Sequence, residues 1–329
     1  SFIQNNIFEV LEIPVTIPAG DPLTNPSKGC YDPINNVMIF SNPNSQNLLV
    51  FDDNVQTAVI ASASATNTYD VKHNSLLELL YIADNVGNGA LIYDMNYVPT
   101  GFRLLAAGSS THSIFVDETD AKIYMGTNTG DVHVFALNHA LGADIVALNS
   151  FSMPVGAEVV NFSKNPVDGM IWICQAGIPT IYEMNPATNA LTAVVFDIPT
   201  PGVLNPSDAY VANFILNGTD WECWIAGSTP NVLIIDATDM ATVIETFVLP
   251  FAGTTHDIVQ NTSNKYVYVA VISGTNYTLV VDPVSRYTSS NASGSLLKQW
   301  TGQQVIENPI THKMFISELG SSSNGLAVQ

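Results

Sequence analysis

The chain has 329 residues, enough for two ordinary domains or one large all-β domain. Hydrophobic residues make up 47% and charged residues only 12%, so a sizeable core can be buried under a sparsely charged surface. Nine Lys+Arg against 29 Asp+Glu give a formal charge of −20, which repels phosphate backbones and anionic headgroups and excludes nucleic acid and membrane surfaces as expected partners.

The chain starts at Ser1 without a basic or apolar leader. No apolar run approaches the roughly 18 residues needed to span a bilayer. The expectation is a mature secreted protein without membrane insertion. Sequons at Asn161, Asn217, Asn261, Asn276 and Asn291 add glycosylation to that expectation. Cys30, Cys174 and Cys223 lie far apart with no CxxC, so one disulfide and buried core thiols both stay open.

Residues 6–17 alternate apolar and polar as one strand, and Pro14 within it suits an outer edge. A Gly/Pro/Asn-rich crossover, Pro18 to Lys28, follows. Then a pattern of four short strands repeats. The first unit has Gly29-Cys-Tyr, the turn Asp32-Pro-Ile-Asn-Asn, Val37–Ser41, Leu48–Asp52 and Val55–Ala61. Later units open near residues 69, 112, 158, 208, 256 and 303. Their last strands are expected at Gly101–Ala106, Ile145–Ser152, Leu191–Ile198, Thr242–Leu249 and Gly294–Trp300, and the final unit stops one strand short.

The period is roughly 42–53 residues, the range of four-stranded propeller blades. The expected fold is therefore all-β: a single-domain, seven-bladed β-propeller of four-stranded antiparallel blades over residues 1–329. The strand at 6–17 would close the ring as the outer strand of the last blade, which removes a free edge and ties down both termini. Asp52, Asp94, Asp236 and Asp282 end third strands and are expected to cap turns. Second strands are almost wholly apolar, and Tyr81, Tyr124, Trp172, Trp224 and Tyr268 within them are expected between blades.

The stretch Leu249-Pro-Phe-Ala-Gly-Thr-Thr-His-Asp-Ile-Val-Gln-Asn-Thr-Ser-Asn-Lys-Tyr-Val-Tyr-Val-Ala270 resembles the YVTN-type propeller repeat, and Val280-Val-Asp-Pro283 resembles the strand that follows it. The resemblance covers about six repeats and is specific for fold. The wider superfamily includes seven-bladed lactonases and lactonising enzymes. Gly108-Ser-Ser-Thr-His-Ser-Ile-Phe115 resembles their Gly-rich, His-ending segment, with His112 on the family histidine and Thr111 in place of the usual arginine. The resemblance implies a lactonase- or cyclase-like enzyme acting on a small carbonyl or lactone.

No HExxH, GxSxG, P-loop, Rossmann or EF-hand pattern is present. Function must then come from position. First strands line a propeller's channel, and aligning the repeats puts Ser27, Tyr69, His112, Glu158, Asp208, His256 and Gln303 in one ring at its mouth. His112, His256, Glu158 and Asp208 are the candidate catalytic residues, as acid and base or as ligands of one divalent metal ion. Ser27, Tyr69 and Gln303 are the candidate substrate contacts. The same polar ring is also what any hydrated channel mouth offers, so a non-catalytic extracellular binding or assembly module is the alternative. His73 and His312 are expected in hairpin turns, His139 in a loop and His133 on a blade surface. Asp84-Asn-Val-Gly-Asn88 reads as a turn or as an oxygen-rich calcium loop. Among the few cations, Lys28 is best placed for an anionic substrate.

Overall fold

The computed structural model describes residues 28–42, 47–51, 56–61, 68–84, 88–106, 109–202, 205–249, 253–272, 277–284, 287–288, 302–318 and 326–328. The first sheet comprises β1 (Gly29–Asp32), β2 (Val37–Asn42), β3 (Asn47–Phe51) and β4 (Gln56–Ala61). The second comprises β5 (Thr68–Asn74), β6 (Leu79–Asp84), β7 (Gly89–Asp94) and β8 (Pro99–Leu105). The third has β9 (Thr111–Asp117), β10 (Lys122–Thr127), β11 (Asp131–Ala136) and β12 (Asn149–Ser152). The fourth has β13 (Val159–Lys164), β14 (Ile171–Gln175), β15 (Thr180–Asn185) and β16 (Ala190–Asp197). The fifth has β17 (Val211–Asn217), β18 (Asp220–Ala226), β19 (Asn231–Asp236) and β20 (Val243–Val248). The sixth has β21 (Thr254–Gln260), β22 (Val267–Ile272), β23 (Tyr277–Asp282) and β24 (Tyr287–Thr288). A last sheet contains β25 (Gly302–Glu307), β26 (Met314–Glu318) and β27 (Leu326–Val328).

Each sheet is an antiparallel meander in chain order. The first strands stand side by side, β1 with β5, β5 with β9, then β13, β17, β21 and β25, and β25 also touches β1. The fold is a β-propeller of four-stranded antiparallel blades. The expected seven such blades are corrected to six among the described residues, because no described strand pairs beyond β27. The closing strand expected at 6–17 lies outside the described residues. So does the fourth strand expected at 294–300; β23 pairs instead with the earlier β24.

The core sits between blades. Tyr81, Tyr124, Trp172 and Trp224 are wholly buried and Tyr268 nearly so. Trp172 meets Phe214 of the next blade edge-on, with ring centroids 5.0 Å apart. Second strands are buried on both faces, which explains why they read as continuous apolar runs. Each buried aromatic contributes roughly 1.5–3 kcal/mol. Gly29 shows how closely the blades approach: a Cβ there would lie 2.6 Å from the Ile306 side chain of β25.

The first hairpins share one polar device. Asp32, Asn74, Asp117, Asn261 and Asn308 each accept two backbone N–H groups of their own turn through Oδ1. The asparagine amides then reach a neighbouring blade: Asn74 Nδ2 donates to Leu137 O at 3.0 Å and Asn261 Nδ2 to His312 O at 2.7 Å. Asn165 does the same with Ala237 O at 2.8 Å. Third-strand acids cap turns as expected, with Asp94, Asp236 and Asp282 accepting N–H groups of Asn96, Thr238 and Val284; Asp52 lies outside the described residues.

Candidate functional site

Strand pairing decides which residue of each first strand reaches the axis at a given level. Lys72, Phe115, Ser163, Asn213 and Val259 pair with the five core aromatics Tyr81, Tyr124, Trp172, Trp224 and Tyr268. Counting back equally from each gives Tyr69, His112, Val160, Tyr210 and His256 as one level by count, with a register shift at Tyr69, His112, Val160 and His256 that β17 lacks. Glu158 and Asp208 lie two positions earlier. Placing them in the ring would need paired residues eleven and thirteen apart across their hairpins, whereas Ser163 and Trp172 are nine apart, as in three other blades, and Asn213 and Trp224 eleven. Ser27 lies outside the described residues, and of Gln303 only the backbone, in β25, is described.

Two of the four candidate catalytic side chains meet. His112 Nδ1 is hydrogen-bonded to Glu158 Oε1. The His112 ring stacks on Tyr69, with centroids 4.5 Å apart and planes 14° from parallel. Glu158, with a third of its side chain exposed, also helps push the phenols of Tyr69 and Tyr210 up, burial being the larger cause in both. His256 leans instead on Tyr210, centroids 4.5 Å apart. Burial and then Lys28 lower its pKa, Asp208 opposes them, and the group ends at about 4, so the imidazole is neutral at pH 7. A neutral imidazole beside a phenol is a hydrogen-bonding surface rather than a charged one.

Asp208 serves a different end. Its carboxylate accepts the N–H of Gly177 at 3.1 Å, the N–H of Ser228 at 2.6 Å and the Ser228 hydroxyl at 2.9 Å. It ties together the loops after β14 and β18. Gly227 is required there, because a Cβ would stand 2.2 Å from both Asp208 O and Asp208 Oδ1. Among the described residues, no three His, Cys, Asp or Glu side chains come together as a metal-holding group.

Below this level lies a cavity of ≈ 190 Å³, with Lys28, Asp70, Lys72, Ser113, Asn161, Asn213 and Asp257 as its charged and amide or hydroxyl lining. Most of these side chains also link neighbouring first strands. Asp70 Oδ2 accepts Ile114 N at 2.9 Å, Asp257 Oδ2 accepts Val305 N at 2.7 Å, and Asn161 Oδ1 accepts Ala212 N at 3.4 Å. Ser113 Oγ donates to Val159 O at 2.7 Å, and Asn213 Nδ2 to Ile258 O at 2.6 Å. Lys72 pairs with Asp70 at 2.7 Å. Burial raises the Asp257 pKa to about 6 against the pull of its two backbone N–H bonds and of Lys28 and Lys72. This lower layer, and Tyr210 above it, were not singled out from the sequence; every-other-residue polarity in the first strands was the available signal.

The other candidates fall elsewhere. His73 is in β5, not in a turn, and burial lowers its pKa. His312 sits in the last first-hairpin turn, 3.0 Å from Glu307. His139 is 2.8 Å from the Tyr81 hydroxyl, and His133 pairs with Ser150 Oγ at 2.7 Å. Asp84 holds Arg103 at 3.2 Å, with residues 85–87 outside the described set. Cys30, Cys174 and Cys223 are free thiols, the last two buried. Burial pushes the Cys30 thiol up to about 12, which leaves it unreactive.

No protein-family profile and no curated protein matches the sequence. By structure, 1596 solved chains match. One is a chain of the "Crystal Structure of Mitotic Checkpoint Complex", with a TM-score of 0.70 and 10% identity over 98% of this chain and 93% of that one. At that identity the likeness shows the β-propeller fold.

Proposed function

We propose that this chain is a non-catalytic propeller that docks a protein partner on the face formed by its first and third hairpin turns. The observation that carries the reading is a set of exposed aliphatic side chains at equivalent places. Ile34, Leu76, Val167 and Ile310 each stand two residues after the Asx that anchors the turn, and they are 48%, 59%, 46% and 62% exposed. Val98 and Val284 stand on third turns of the same face, 54% and 71% exposed. Turn tips are ordinarily polar. Aliphatic side chains scattered singly are ordinary on a surface, so it is their repetition at equivalent turns of one face that supports docking. The likeness to a chain in a protein complex agrees with this. An extracellular setting, one domain and a seventh blade completed by residues 6–17 belong to the same proposal.

A lactonase-like reading rests on the contact between His112 and Glu158 beneath Tyr69. There His112 would move a proton for ring opening of a small lactone, with Glu158 orienting the imidazole. Thr111, at the place of the usual arginine, is wholly buried with its hydroxyl on Met125 Sδ, so it brings no cation to the mouth. A divalent metal would need a third donor beside these two.

One experiment separates the readings. A photo-crosslinker at position 76 is carried by the wild-type chain and by an Ile34→Glu/Val167→Glu variant, both exposed to native extracellular fluid and to a lactone panel. Discrete adducts that disappear in the folded variant are expected. Identical adducts in both would sink the docking face, and lactone turnover abolished by His112→Ala would establish the enzyme instead.

A further inference from the structure

We propose that the axial cavity is a binding site for a small organic monocarboxylate, with the Lys28 ammonium as its counter-ion. This goes beyond the docking reading and does not depend on it.

Lys28 reaches across the axis from the first blade to the fourth, where Nζ donates to Val160 O at 2.5 Å. That is its one hydrogen bond among the described residues, and an ammonium has three N–H groups. The other cation in the lining is already matched, since Lys72 gives its protons to Asp70 Oδ1 at 2.7 Å and Gly29 O at 3.3 Å. The carboxylates are matched too. Asp70 takes Lys72 and Ile114 N, while Asp257 takes Val305 N and Ile258 N. With Oδ1 of Asn161 engaged by Ala212 N, its amide N–H₂ is the group left to face a ligand. The unspent donors of the cavity are thus the Lys28 ammonium and the Asn161 amide, and they stand beside Asn213, Tyr210 and the neutral His256 imidazole. Burial, the largest effect on Lys28, lowers its pKa, so an anion would restore what the ammonium lost on leaving water.

The remaining wall selects among anions. Ile114, Phe115, Phe162 and Val259 give the cavity an apolar side. An inorganic ion would leave that side facing water, whereas an alkyl or aryl tail would cover it. The charges of Lys28, Lys72, Asp70 and Asp257 sum to zero, so the cavity takes at most one added negative charge and not a phosphate dianion. The volume holds about six waters at ~30 Å³ each, which limits the ligand to a short acid.

The test is calorimetric titration of the full chain with isobutyrate, with isobutyramide as neutral isostere and chloride and phosphate as inorganic controls. Isobutyrate is expected to bind one-to-one and at least about tenfold tighter than the amide or either inorganic ion. Lys28→Met removes the counter-ion and should weaken binding about tenfold or more. Should that variant fail to fold, Asn161→Asp keeps the acceptor for Ala212 N while placing a negative charge in the lining, and should weaken binding likewise. Absence of saturable isobutyrate binding, equal binding by the amide or chloride, or undiminished binding in a folded variant would overturn the proposal.

Discussion

His256 and Asp257 are adjacent in β21, yet burial moves their protonation in opposite senses. Folded His256 titrates at about 4 against 6.5 for a free imidazole. Between those values the unfolded chain holds the extra proton, so stability falls as pH drops through the window. Folded Asp257 titrates at about 6 against 3.8. There the folded chain holds the extra proton, so stability is gained as pH drops from about 6 and lost as it rises through that value. The two slopes offset each other in the wild type. His256→Gln removes one of them. Relative to wild type, this variant should gain on the order of 2 kcal/mol between pH 7 and 4.5, as measured by urea unfolding at each pH. Parallel pH profiles for the two proteins would show that His256 is not buried in its neutral form.

At the scale of elements, the first-hairpin Asx residues do two jobs with one side chain: they close a turn and fasten it to the next blade. Asn261 is nearly wholly buried, with Oδ1 on Ser263 N and Asn264 N and Nδ2 on His312 O. Asn261→Ala should cost about 2–3 kcal/mol in chemical denaturation, at roughly 1 kcal/mol per bond. Asn217→Ala, which removes the bond to Glu222 Oε1, should cost about 1 kcal/mol. The sequon at Asn261 leaves no room for a glycan in this fold, because the residue is only 1% exposed. The turn residues, the apolar second strands and the spacing of the units were all legible in the sequence, since each is local chemistry repeated. The level of each residue along the axis was not. It depends on pairing with Tyr81, Tyr124, Trp172, Trp224 and Tyr268, and placing Glu158 and Asp208 in the ring supposes hairpins two residues longer than the pairs Ser163–Trp172 and Asn213–Trp224 allow. Val160 and Tyr210 therefore stand where Glu158 and Asp208 were expected, although Glu158 still reaches His112.

For the whole molecule, the question is how weakly charged sheets are held side by side. Neighbouring blades are joined by buried aromatics, by Asx side chains and by the polar layer at the axis. The formal charge of −20 opposes this by self-repulsion. Three of the nine cations, Lys72, Arg103 and Lys164, are spent in ion pairs with Asp70, Asp84 and Asp117. The last sheet carries the greatest exposure to failure. It packs against both β21 and β1, its Met314 and Phe315 are buried, and its outermost described strand is the short β27, whose far side has no described partner. An unpaired outer edge leaves backbone donors and acceptors to solvent or to another chain. The alternating segment 6–17 has the length and pattern to pair there, with Pro14 tolerated on an outermost strand. Deleting residues 1–17 should then lower the melting temperature by more than about 5 °C and promote association at the bared edge. Val10→Pro, which removes one ladder donor from the full chain, should shift it in the same direction by less. A truncated protein that melts with the full chain and stays monomeric would mean that three strands complete the last sheet.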